Sequence, residues 1–176
     1  KTWSDGIIIL FLGGFFLAEG MQKTRLDYKL LQKLLPRFGQ QARYILLGLM
    51  LTTACISMLM SNTATTAMMI ATAAPLYTNS KGSFSRALLL GIPAAASIGG
   101  MGTIIGSPPN AITVGALAKQ GIHVGFLDWM IVGMPLAIIL TLVFWRILVS
   151  AYKIGKDPLD TSFLTAPSDE APAVNA

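Results

Sequence analysis

Charge is scarce in this chain. Thirteen Lys and Arg and eight Asp and Glu make up 12% of 176 residues, about half the share in an ordinary soluble domain. Three long stretches, 44–80, 87–118 and 129–145, carry no charged side chain, and hydrophobic residues make up 53% of the whole. A soluble domain does not carry three such runs, so the composition describes an integral membrane protein. The net charge of +5 reads as membrane orientation, not as affinity for nucleic acid. Cysteine is nearly absent: Cys55 stands alone, which excludes a disulfide framework or cysteine metal cluster within the chain and leaves an inert buried thiol. The single histidine, His123, is expected in a loop outside the membrane and not in a proton relay. No histidine or acid lies in the 44–80 run to activate a serine, which argues against an intramembrane hydrolase; no catalytic residue is assigned. The chain begins at Lys1 with no signal-peptide n-region or cleavage site. Its first apolar run, Gly6 to Ala18, is short for a span, so the expectation is a part of a longer polypeptide.

What the chain does have is polarity in unusual places. Ser61-Asn62-Thr63 sits at the midpoint of the 44–80 run, which is too long for one straight membrane helix and slightly short for two full spans with a turn. The spacing predicts a re-entrant hairpin with legs Tyr44 to Met60 and Ala64 to Tyr77, turning inside the bilayer. Non-helical backbone at that depth is tolerated only where it is buried in protein or lines a cavity, so the tip is a candidate site. A leg that ends in unpaired carbonyls favours a cation, and one that begins with unpaired amides favours an anion. Ser57, Ser61, Thr63 and Asn62 add neutral oxygens of the kind a hard cation prefers. The alternative is structural: serine and asparagine that cap the second leg or join helices.

A second interruption follows. Residues 87–118 contain Pro93, Ser97, Gly99-Gly100, Gly102-Thr103, Gly106-Ser107 and Pro108-Pro109-Asn110. Glycine at this density weakens a helix, and serine followed by proline is a helix start. The reading is a half-helix from about Ser85 to Gly100, an unwound loop over Met101 to Ser107, and a half-helix from Pro108 to about Lys119. Two Gly/Pro-interrupted hydrophobic segments point to the central site of a transporter, offering two helix N-termini to an anion and loop carbonyls to sodium. Close helix packing by the glycines is the alternative.

Around these segments the expected organisation is a transmembrane helix over 1–20, truncated or complete, and an amphipathic interfacial helix over 21–43. The hairpin takes 44–80 and the discontinuous helix 84–120. A transmembrane helix over 126–152 and a linker or disordered tail over 153–176 complete it. Met58, Met60, Met68 and Met69 read as core packing, and Trp129 and Trp145 as interfacial aromatics. With the hairpin returning to its own side, 11 of the 13 basic residues fall on one face of the membrane, which the positive-inside rule makes cytoplasmic.

SMLMSNTATTAMM followed by SIGGMGTIIGSPPNAI closely resembles the divalent anion/sodium symporter family of sodium-coupled dicarboxylate transporters, from about Gly6 to Trp145. The resemblance implies an all-α integral membrane fold, one inverted-repeat half of a secondary transporter with a re-entrant hairpin and a broken helix, in a cell membrane. It implies that Ser57, Ser61 and Asn62, with loop backbone at Gly102, Thr103 and Gly106, hold sodium. Asn62 and Thr63 would face a substrate carboxylate opposite Ser107 and Pro108. Ser107 stands where many members have threonine. It further implies a C4-dicarboxylate or related divalent anion as substrate, a homodimer of the full-length parent, and no nucleic-acid partner. Sulfate, citrate and proton coupling stay open, as does a membrane subunit with no transport of its own. The family carries two Ser-Asn-Thr repeats, and this chain contains one.

Overall fold

A computed structural model describes residues 35–74, 76, 82–155, 158 and 159, together with the isolated positions 12, 13, 16, 19, 20, 23, 24, 29 and 33. Most of the predicted first helix, most of the interfacial helix and most of the tail lie outside the described residues. Within the described set the chain is helical, with no strand beyond an isolated bridge between Gln41 and Pro158. A 3-10 turn over Leu35–Phe38 leads to Gly39, whose φ of +77° takes the left-handed backbone that glycine reaches without cost. Among the described residues five bounded helices follow: α1 Ala42–Ser57, α2 Asn62–Thr72, α3 Ser83–Gly99, α4 Pro108–Lys119 and α5 Phe126–Ala151.

Apolar runs form the helices, and threonine is accommodated inside them by back-bonding. Thr53, Thr72 and Thr141 each donate to the carbonyl four residues earlier, Leu49, Met68 and Ala137, which satisfies a hydroxyl without water. Segment 83–102 and α5 are long and apolar enough to cross a membrane; α1 is apolar but shorter. The core is built by α1 and α3, where Ile45, Leu46, Leu49, Met50, Leu88 and Ile92 are fully buried. Between apolar helices in lipid, association rests on close packing, which small residues permit. A Cβ on Gly99 would collide with the backbone of Ala54, and one on Gly91 would press on Leu46, Met50 and Leu148 at 3.2 to 3.4 Å. Those contacts run α1 and α3 side by side in the same direction.

The last helix is antiparallel to both. Near its end, Trp145 Nε1 donates to Arg43 O at the start of α1 (2.8 Å), and near its beginning Trp129 Nε1 donates to Met101 O just past the end of α3 (3.0 Å). Both indoles are half-buried and anchor helices by these bonds. The outer side of α5 carries exposed Leu127, Ile131, Val132, Leu136, Ile139 and Val143.

Two boundaries differ from those read in the sequence. The first leg stops at Ser57, so Met58, Leu59 and Met60 form a non-helical turn, and Asn62 and Thr63 lie in the first turn of α2. At that end the Ser57 side chain engages Ala96 of α3 and Asn62 of α2. After α3, a 3-10 turn over Gly100–Gly102 precedes the irregular backbone.

Candidate functional site

Parallel α1 and α3 deliver both interruptions to the same level, where α2 and α4 begin. Using α5 as a ruler, that level is Gly133, because a Cβ there would lie 2.8 Å from Met101 O and 3.1 Å from Gly102 O. Gly133 is seven residues from the start of α5 and eighteen from its end, roughly 10 Å and 27 Å at the helical rise. The polar centre therefore lies within the length of the longest apolar helix and not at its rim.

Ser57, Asn62, Gly100 and Gly106 form that centre. The fully buried Ser57 Oγ lies 2.7 Å from Ala96 O and 2.7 Å from Asn62 Oδ1. A hydroxyl has one proton for two acceptors. The Asn62 amide turned to present its NH2 would supply the second proton. The Asn62 amide lies directly over Gly100, where a Cβ would strike Oδ1. A Cβ on Gly106 would sit 2.7 Å from Gly100 O and 3.1 Å from Ser57 O. Two carbonyls thus converge on a spot that any side chain at position 106 would fill. The oxygens gathered here are neutral, and no cluster of His, Cys, Asp and Glu able to hold a metal exists among the described residues. Such a donor set suits a hard, weakly charged cation and not a transition metal. Thr65, three residues beyond Asn62 on α2, has a fully buried hydroxyl without a hydrogen-bond partner.

Other candidates from the sequence are placed differently. Ser61 is exposed and its Oγ accepts from Ala64 N at 3.2 Å, making it the cap of α2. Thr103 is buried; its hydroxyl donates to Met58 O and accepts from Gly106 N at 3.0 Å, tying the hairpin turn to the loop. Gly102 packs against the Met58 side chain, and its carbonyl lies beside Gly133 of α5. Thr63 and Pro108 are exposed and Ser107 is half-buried. His123 is exposed between α4 and α5.

The start of α4 departs from the expected anion-binding end. Ser107 occupies the N-cap position, yet its hydroxyl makes no capping bond. Pro108 and Pro109 have no N–H, and the next one, Asn110 N, is taken by Ser107 O at 3.1 Å. An anion would meet the helix dipole and the Ser107 hydroxyl here, with no free amide from the first turn. Two residues at or beside the centre, Gly100 and Asn110, are named in the sequence only as part of the interrupted stretch and not as site residues. The Gly99-Gly100 pair was a visible signal for the first; for the second, an asparagine after two prolines was not.

Apolar helices of spanning length lie around a polar centre set where two helices break off, the arrangement of an α-helical membrane chain. The chain belongs to the citrate transporter family, which matches residues 2–168. It is 35% identical over 156 residues to the sodium-dependent dicarboxylate transporter SdcS of Staphylococcus saprophyticus, covering 81% of this chain and 30% of that protein. It is 36% identical over 158 residues to the protein of the same name from Staphylococcus aureus strain USA300, covering 82% and 30%. The chain thus spans about 30% of the length of these curated relatives.

Proposed function

We propose that this chain is one inverted-repeat half of a sodium-coupled secondary transporter that carries a C4-dicarboxylate, such as succinate, malate or fumarate, across a cell membrane by alternating access. The observation that carries the reading is that two interrupted helices meet here: Gly100 O and Ser57 O face the Cβ position of Gly106, and the Asn62 amide, 2.7 Å from Ser57 Oγ, lies over Gly100. Sodium is held among these neutral oxygens. The substrate carboxylate lies on the outer side of the same centre, between Asn62 and Thr63 at the start of α2 and Ser107 and Pro108 at the start of α4. The N–H groups of Asn62 and Thr63 have no intrahelical acceptor and favour an anion. Placing sodium beside the carboxylate couples the two, since each neutralises part of the other's cost of leaving water.

The length of α1 supports a re-entrant hairpin. At the helical rise, α1 with 16 residues spans about 24 Å, less than the hydrocarbon thickness of about 30 Å. Further chain supplies the second repeat, which a divalent substrate needs for its second carboxylate, and the complete protein works as a homodimer. Cysteines introduced at Lys33 and Lys81, in a Cys55→Ser background, are expected to label from the cytoplasmic side and one at Gln120 from outside. Labelling of positions 33 and 81 from opposite sides would mean that the hairpin crosses.

Uptake of labelled succinate by the complete gene product in liposomes, with sodium or choline outside, tests the function. Uptake that requires sodium and is competed by malate and fumarate supports it. The family description favours one second reading, citrate as the main substrate. Strong competition by citrate with weak competition by malate selects that reading, and succinate uptake indifferent to sodium rejects sodium coupling.

A further inference from the structure

We propose that Asn110 is a positioning residue for the cation: it holds the loop so that the Gly100 carbonyl faces the Gly106 cradle. The inference rests on the sodium reading of that site. Asn110 is buried in the first turn of α4, at the third helical position, and its side chain ignores its own helix end. It reaches back across the loop, where Nδ2 donates to Gly100 O and to Thr103 O, each at 2.8 Å. The two protons of one amide thus pin both ends of the 3-10 turn over Gly100–Gly102.

The Gly100 carbonyl is the consequential partner. It has two lone pairs; one accepts from Asn110, and the same oxygen lies 2.7 Å from the Cβ position of Gly106, on the side of Ser57 O. A partner that orients a ligand from behind tunes affinity without touching the ion. Alone, a glycine peptide in a loop is free to turn its carbonyl away, so a cradle built from glycine backbone needs such a partner. Trp129 also grips the loop, but at Met101 O, which lies beside Gly133 of α5. The two side chains therefore separate two effects, orientation of the cradle carbonyl and general order of the loop.

The test uses the complete gene product, purified and in liposomes, with wild type, Asn110→Ala, Asn110→Ser and Trp129→Phe compared. Sodium half-saturation and succinate KM at saturating sodium are measured by uptake, and the sodium-induced rise in melting temperature in detergent. Asn110→Ala is expected to raise sodium half-saturation by about tenfold or more, leave the succinate KM at saturating sodium within about twofold of wild type, and lose the sodium-induced rise. Trp129→Phe is expected to lower the melting temperature while keeping wild-type sodium half-saturation. Should Asn110→Ala not insert, Asn110→Ser, which retains one donor, is read by the same measurements with an intermediate shift expected. Wild-type sodium half-saturation in the asparagine variants, or an equal shift in Trp129→Phe, overturns the assignment. Absence of any sodium effect on the wild type overturns the sodium reading and this inference together, whereas a sodium-dependent wild type with unaffected asparagine variants overturns this inference alone.

Discussion

Ser61 and Ser107 occupy the same local position and do different things. Each precedes a helix in extended backbone, at φ −63° and ψ 141° for Ser61 and φ −150° and ψ 138° for Ser107. At the hairpin tip the next residues have N–H groups, so Ser61 Oγ accepts from Ala64 N and is spent on the helix end. At the loop the corresponding amide, Asn110 N, bonds the Ser107 carbonyl at 3.1 Å and the two residues between are prolines without N–H, so Ser107 Oγ makes no capping bond. A serine before a helix is thus a cap or a ligand group according to what its neighbours leave unsatisfied. In the proposed transporter this divides the labour, with Ser61 keeping α2 in place and Ser107 meeting the substrate.

Four substitutions in the complete gene product test that division, the largest effect first. Asn62→Asp is expected to abolish succinate uptake, because a carboxylate at the meeting point of α1, α2 and Gly100 repels an incoming anion in a partly desolvated site. Uptake at the wild-type level would remove the centre from the transport path and leave the serine comparison without a function. Gly106→Ala comes next. Its methyl would enter the cradle 2.7 Å from Gly100 O, and forcing a methyl into so tight a space costs about 1–3 kcal/mol, or about fivefold to somewhat over a hundredfold in sodium half-saturation. An unchanged sodium titration would move the ion elsewhere.

The two serines give the smaller effects and the sharpest contrast. Ser107→Ala is expected to raise the succinate KM by about tenfold, the loss of one hydrogen bond to a charged group, with no change in melting temperature because no capping bond is lost. Ser61→Ala is expected to do the reverse: about 1 kcal/mol of lost stability, seen as a lower melting temperature, with only a small rise in sodium requirement. A destabilised Ser107→Ala protein beside an unaffected Ser61→Ala protein, read by thermal unfolding and uptake side by side, would invert the comparison and refute it.

The sequence by itself determined that this is a helical membrane chain with a polar centre in two interrupted apolar stretches, because charge scarcity, glycine and proline act locally or through simple sums. Ser107-Pro108 is legible as a helix start for that reason, since proline has no N–H to lose, and α4 does begin at Pro108. The Ser-Asn-Thr triplet is legible as a turn residue set, but the end of α1 at Ser57 is not. The residue at that stop bonds Ala96, 39 residues away, a contact no local pattern announces. Only the tertiary structure decided which oxygens meet. Ser61, Gly102 and Thr103 looked equivalent to Ser57 and Gly106 as donors, yet their polar groups are turned to α2, to α5 and to the Met58 carbonyl. Gly100 and Asn110 enter the centre through contacts that span several residues of irregular loop. A carbonyl's direction in such a loop is set by whichever distant side chain holds it, and no local pattern records that partner.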